Sequence, residues 1–193
     1  MICQAATAAN RNASFPANEP LETKAKAAMQ GLKLSYHTKG LQLMSPCIAA
    51  GQTAEALSLD CNEDADLRDI DYGDWAGRSI SAIASEAPDS LAQWIADPGF
   101  AGHGGESIEM LFDRTRSWID KCANEGSNVI AVTHAAVIRA IVANILGAPL
   151  STFWSIDIAP ATVTDIRNDG RRWALRSSGL PLVSGRLQQQ AED

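Results

Sequence analysis

The sequence predicts an α/β fold, a three-layer α/β/α sandwich whose central sheet is mostly parallel with an antiparallel pair at its edge, and three observations carry that prediction. VIAVT at 129–133 is an apolar, β-branched run without polar alternation, the pattern of a strand covered on both faces. A helical pattern follows it directly, from about Ala136 to Leu146, and is stopped by Gly147 and Pro149. Near the C-terminus, ATVTDIRN (161–168) and RRWALRS (171–177) flank Asn168-Asp169-Gly170, a turn sequence that tolerates positive φ.

The remaining elements follow from periodicity. Residues 20–32, PLETKAKAAMQGL, put Leu21, Ala25, Ala28, Met29 and Leu32 on one helical face, and LQLM at 41–44 reads as a short strand after a loop. Segment 107–122, SIEMLFDRTRSWIDKC, is the strongest helix. Ile108, Leu111, Phe112, Thr115, Trp118, Ile119 and Cys122 form its stripe, Ser107 is its N-cap, and NEGSN ends it. No repeat or linker divides the chain, so residues 1–180 are expected to form one domain. Residues 181–193 form a polar tail in which RLQQQAED could add a helical turn or two.

Composition limits the function. A chain of 193 residues, 46% hydrophobic and 20% charged, suits one globular domain. Its net charge of −7 argues against a nucleic-acid partner or an anionic membrane surface, because both need a basic face. The longest apolar run contains His134 and Arg139 and is too short to span a bilayer, and no signal-like segment opens the chain, so a cytoplasmic protein is expected. Cys3, Cys47, Cys61 and Cys122 form no C-x-x-C pair and are expected as reduced thiols. His37, His103 and His134 lack ligand spacing, so neither a metal nor a cofactor is expected.

His134 is the first residue after a buried strand and precedes a helix N-terminus, where α/β proteins place ligands and where anions are favoured. It is either part of a phosphate site or a core histidine bonded to a backbone carbonyl. Six segments in order bear on that choice. VIAVTHAAVIRAI resembles the second-histidine motif of the histidine phosphatase superfamily, the phosphoglycerate mutase-like proteins. LRDIDYGDWAGRS (67–79) is similar to that family's L-x-E-x-x-x-G-x-W-x-G, with Asp69 at the general-acid position. GGES (104–107), SPCIAAGQTAEAL (45–57), TAANR (7–11) and PLETKAKA (20–27) resemble its other conserved segments.

The resemblance implies a phosphoglycerate mutase-like fold and a phosphohistidine mechanism. A histidine in Arg-His-Gly attacks a phosphate ester, two arginines and the second histidine hold the phosphoryl group, and a carboxylic acid protonates the leaving oxygen. This chain departs from the pattern at those positions. Counting back from Thr7 and Asn10 places Cys3, Gln4 and Ala5 at Arg-His-Gly, and Ala49 stands for the arginine after S-P-x-x. A glutamine amide is a very poor nucleophile but still donates a hydrogen bond to an anion. Losing a nucleophile costs on the order of a million-fold in turnover in a well-studied protease.

The resulting expectation is a degenerate, catalytically inactive or strongly impaired member. It would bind a small anionic or phosphorylated ligand through Gln4, Thr7, Asn10, Arg11, Glu106 and Ser107, with His134 and Asp69 as the residual catalytic pair. Two alternatives stay open: an active phosphoric ester hydrolase rebuilt around His134, and a protein-interaction scaffold. Asp69, beside Asp71 and Asp74, reads either as an acid of raised pKa or as a loop residue. Glu106 reads as a ligand-orienting group or a helix-start carboxylate, and Arg11 as a replacement clamp or a solvated loop arginine. Cys3 reads as a small strand hydrophobe, since no cysteine here begins the C-x5-R of cysteine phosphatases. Trp75 and Trp94 are expected in the core, and His103 in a solvent-exposed glycine-rich loop. His37, between helix and strand, is not promoted.

Overall fold

A computed structural model describes residues 1–30, 32, 34, 40–126 and 128–182; His37 and the tail beyond 182 lie outside the described residues. In chain order the elements are β1 (Ile2–Cys3), α1 (Ala8–Asn12), α2 (Thr23–Met29), β2 (Leu41–Met44), α3 (Ile48–Ala56), β3 (Asn62–Glu63), α4 (Ile80–Glu86), α5 (Pro88–Ala96), α6 (Ile108–Glu125), β4 (Val129–Thr133), α7 (Ala135–Ile145), β5 (Thr162–Asn168) and β6 (Trp173–Pro181). The strands form one sheet in the order β3-β2-β4-β1-β5-β6. The first four are mutually parallel, and β5 and β6 are added antiparallel at the edge.

The side-chain period of two in β4 builds the three layers. Ala131 joins Leu111, Phe112, Ile119, Val137 and Ile141 from α6 and α7 on one face. Val132 joins Ala49, Ala50 and Ala54 of α3 and Met29 of α2 on the other. Both faces are therefore covered, which is why β4 carries no polar alternation. Seven residues of α7 are buried, including Ile138 and Ile141, each worth about 1.5–3 kcal/mol of removal from water. No helix among the described residues is long and apolar enough to cross a membrane.

α6 begins where its cap signal lies: the Ser107 hydroxyl accepts from Met110 N at 3.1 Å. It ends at Glu125, with Gly126 of the expected NEGSN stop as its C-cap in the left-handed region, φ 62°. The hairpin also holds, although β6 starts at Trp173 rather than Arg171. Asp169 Oδ1 accepts from both Arg171 N and Arg172 N at 2.9 Å, so those two residues belong to the turn.

Two departures have local causes. The helix expected over 20–32 shrinks to seven residues, because Leu21 pairs with Thr7 in an isolated antiparallel bridge and Gln30 turns to extended backbone. Ala28, expected on the apolar face, is exposed. Ile48–Ala56, identified only as a motif by sequence, is a helix; its alanines favour helix, and their small size lets it lie close on the sheet.

Candidate functional site

The site begins with a register. β1 and β4 pair in parallel with Cys3 opposite Thr133, so the next residues, Gln4 and His134, leave the sheet side by side. Gln4 N donates to Thr133 O at 2.8 Å and fixes that adjacency. β2 ends at the same level on the other side of β4, where Ser45 N donates to Val132 O at 2.9 Å. Its hydroxyl Oγ lies 2.7 Å from His134 Nε2. The segment after β3 closes over these ends, held by Thr133 Oγ1 donating to Leu67 O at 2.7 Å and Trp118 Nε1 donating to Asp64 Oδ2 at 2.9 Å. This brings Asp69 Oδ2 to 3.4 Å from His134 Nδ1, an electrostatic contact without hydrogen-bond alignment.

Two glycines make the following turn possible. Gly73 has φ 50°, and a Cβ there would meet His103 O at 2.2 Å; a Cβ on Gly105 would meet Asp71 O at the same distance. The segments 71–74 and 103–106 therefore approach backbone to backbone, with Asp74 N donating to His103 O and Glu106 N to Asp71 O.

These elements enclose a cleft of about 330 Å³ whose walls include Gln4, Thr7, Cys47, Arg68, Asp69 and His134, with Glu19 and Asp71 also lining it. His134 is 3% exposed and Gln4 8%. Gln4 Oε1 and His134 Nδ1 have no hydrogen-bond partner among the described residues.

Competing effects set the protonation states. Burial pushes the Asp69 carboxyl up, and this outweighs the opposing His134 charge and the Ile70 N–H. Burial by itself would lower His134, but the Asp69 charge and the Cys47 thiol raise it. Burial would likewise raise Cys47; hydrogen bonds with His134 and Ser45 overcome it and leave that thiol below its ordinary value. The result is an imidazole that holds a proton more readily than usual, beside an acid that releases one less readily.

Of the residues singled out in the sequence, His134, Asp69, Gln4 and Thr7 meet in the cleft, while Asn10, Arg11, Glu106 and Ser107 do not line it. Asn10 Oδ1 accepts from Thr7 N at 2.9 Å within the capping of α1. Arg11 lies on α1, not in a loop, and pairs with Glu22 at 2.7 Å. Glu106 is clamped by Arg114, with Nε donating to Oε1 at 2.9 Å and Nη2 to Oε2 at 2.7 Å, so that both its oxygens are held away from the cleft lining. Ser107 is occupied as the α6 cap.

His103 requires a correction as well. It is 2% exposed, its Nδ1 accepts from Gly105 N at 3.0 Å, and its ring centroid lies 4.9 Å from that of Trp75. Burial lowers its pKa against the nearby Asp71 and Asp74. Trp75 and Trp94 are core, as expected, in an aromatic group with Phe15 and Tyr72 beneath the cleft. Cys3 packs with Ile138, Val142 and Ile158, and burial pushes its thiol up to about 12, which removes it as a nucleophile. Sequence reasoning missed Ser45, Cys47 and Arg68. The signal for the first two was their place at a strand-to-helix junction beside the β4 end, which only the sheet order reveals.

Similarity to known proteins agrees with this geometry. The sequence profile of the histidine phosphatase superfamily (branch 1) matches residues 5–180. Phosphoserine phosphatase 1 of Hydrogenobacter thermophilus is 27% identical over 128 residues, 65% of this chain and 61% of that protein. A glucosyl-3-phosphoglycerate phosphatase of Mycolicibacterium vanbaalenii is 30% identical over 120 residues, 57% and 52% of the two chains. The matched region thus spans less than two thirds of either relative's length. Among solved structures, Bacillus stearothermophilus YhfR superimposes with a TM-score of 0.83 at 22% identity, covering 93% of this chain and 95% of that one. The alpha-ribazole phosphatase of Shigella flexneri gives 0.79 at 20% identity over 94% and 96%. At those identities the structures show a shared fold.

Two predictions test the site as described. Glu106→Ala should destabilise the fold by about 3–5 kcal/mol in urea unfolding, because it leaves a guanidinium buried without its partner. Asp69→Asn should lower the His134 pKa, read from its imidazole proton resonances against pH. A raised native pKa makes the His134 contribution to stability complete below its ordinary value of 6.5 and lost as pH rises through the native value. In Asp69→Asn that loss should move to lower pH.

Proposed function

The chain belongs to the histidine phosphatase superfamily, and we propose that it is a member that keeps the cleft for a small anionic or phosphorylated ligand while the phosphohistidine cycle is lost. The observation that carries this reading is Gln4, the side chain beside His134 at the end of β1, where the resemblance calls for the nucleophilic imidazole. Its amide nitrogen lone pair is delocalised and cannot attack phosphorus, but either end of the carboxamide can hydrogen-bond a ligand.

Ala49 and Cys3 leave the phosphoryl clamp without its two guanidinium groups. Arg68 lines the cleft and supplies a cation, though it is shared with Glu106 at 3.6 Å. Glu19, Asp69 and Asp71 line the same cleft, so a ligand with one negative charge is favoured over a dianion. Gln4, Thr7, Arg68 and His134 are the groups that would hold it. The names of the relatives, phosphatases of phosphoserine and of glucosyl-3-phosphoglycerate, support a small phosphorylated metabolite as the ligand class.

Phosphate release from a broad set of phosphate monoesters, at high protein concentration, tests the reading against His134→Ala. The expected result is no release above the variant, while ligand-induced changes in the His134 resonances identify esters that bind. Release that disappears in His134→Ala would overturn it.

A further inference from the structure

We infer that Cys47 is the nucleophile of a thiol acyl-transfer site in this cleft, with His134 as its base and an uncharged ester or thioester carbonyl as the reacting group. The inference rests on the reading that the phosphohistidine cycle is lost, since it assigns the same cleft a different chemistry.

Four observations converge on it. First, Cys47 lines the cleft together with His134, whereas Cys3 is sealed in an apolar cluster. His134 and Ser45 beside the thiol counter burial and lower its pKa. Ser45 binds both partners in place: its Oγ is 2.7 Å from His134 Nε2 and accepts from Cys47 N at 3.2 Å. On the far side of the ring, Asp69 lies at 3.4 Å from Nδ1. The imidazole thus sits between the Ser45–Cys47 segment on one side and the Asp69 carboxyl on the other, the order of a triad without its carboxyl hydrogen bond.

Second, Cys47 is the N-cap of α3, a nine-residue helix. The first rung of that helix is Gly51 N to Cys47 O, at 3.1 Å, so the N–H of Ala49, a cleft-lining residue, lies in the turn whose donors have no intrahelical acceptor. Such a helix start favours developing negative charge. Third, the Gln4 carboxamide is more than nine-tenths buried, lines the cleft, and has its Oε1 without a partner among the described residues; turned over, the same amide presents N–H donors to an oxyanion.

Fourth, charge selects the substrate. With thiolate and imidazolium formed as a pair, the cleft wall keeps three carboxyl groups, Glu19, Asp69 and Asp71, against one guanidinium, Arg68. A dianionic phosphate would meet both that wall and the thiolate. An ester carbonyl arrives neutral and develops one charge, which the helix start and Gln4 can receive.

The step balances without a co-reactant beyond water. His134 takes the Cys47 proton, sulfur bonds to the carbonyl carbon, and the tetrahedral oxyanion collapses with cleavage of the bond to the leaving oxygen or sulfur, which takes the proton from the imidazolium. A water deprotonated by His134 then attacks the thioester, the S–C bond breaks, and the carboxylic acid leaves as the thiolate is restored.

The test uses the full chain with p-nitrophenyl acetate as probe, and p-nitrophenyl phosphate in parallel. The expected result is a burst of nitrophenol with an acetyl group on the Cys47 peptide by mass spectrometry. Cys47→Ala should abolish the burst, and His134→Ala should slow acylation by roughly a hundredfold or more. Cys61→Ala, removing another partly exposed thiol, should leave the burst unchanged. Cys47 has no side-chain cap bond, so Cys47→Ala should fold, as far-UV circular dichroism will check. Acetylation spread equally over Cys61 and Cys122, or a Cys47 rate insensitive to His134→Ala, would overturn the inference and leave an accessible thiol only. Release from the phosphate that depends on Cys47 would overturn the substrate class. Release that depends on His134 but not Cys47 would overturn the lost phosphohistidine cycle, while the acetyl adduct would still decide the thiol chemistry.

Discussion

The site depends on one register, Cys3 opposite Thr133 in the parallel pair β1–β4. Because both strands run the same way and end together, the residues that follow them cannot avoid each other, and Gln4 and His134 become neighbours although 130 positions separate them. β2 joins on the other flank of β4 and delivers Ser45 and Cys47 to the same edge. One topological fact therefore gathers side chains from three stretches of sequence, and the general preference for ligands at the carboxyl ends of α/β strands follows from the same convergence. The loop carrying Asp69 is added by side-chain tethers, Thr133 to Leu67 and Trp118 to Asp64.

Environment, more than residue type, decides chemistry at that edge. Cys3 and Cys47 are both close to strand ends, yet their thiols move in opposite directions. Cys3 has an apolar shell, and nearby Asp69 adds to the burial that opposes ionisation. Cys47 starts a helix, touches an imidazole and a hydroxyl, and is partly open. His134 shows the same competition resolved the other way for a cation. Its burial should discharge it, and the nearby carboxylate prevents that. Burial moves the Asp69 carboxyl up for the same reason, against the opposing pull of the His134 charge.

Those balances explain what could be read from the sequence. β4, α6 and the C-terminal hairpin were legible because each advertises itself within a dozen residues: an apolar run, a 3.6-residue stripe behind a serine cap, an Asp-Gly turn. His134 was legible as a candidate because its position between strand and helix is local too. Glu106 was not, since the arginine that occupies it lies eight residues on and its role depends on which side of α6 faces the Asp66–Arg68 backbone. His103 looked exposed because glycines surround it, but those glycines serve to let the chain pack against Asp71 and press the ring onto Trp75. Cys47 was passed over since its partner, His134, is contributed by another strand and no spacing rule connects them.

The three absent phosphohistidine groups belong to one physical change rather than three. A guanidinium near the ends of buried strands is tolerable when a phosphate offsets its charge, and it carries a desolvation cost of several kcal/mol when nothing does. On the proposed loss of the phosphohistidine cycle the site has no use for such cations, and small neutral side chains at 3 and 49 relieve the cost: Cys3 and Ala49 are both at most 3% exposed and add to apolar clusters. Without arginines at 3 and 49, Glu19, Asp69 and Asp71 face Arg68 as the one cation among the residues lining the cleft. His134 survives this reversal because its charge is supported by Asp69 and not by a substrate. A protonatable imidazole beside a buried acid, in one cleft with a thiol at a helix start, is what the sheet edge holds.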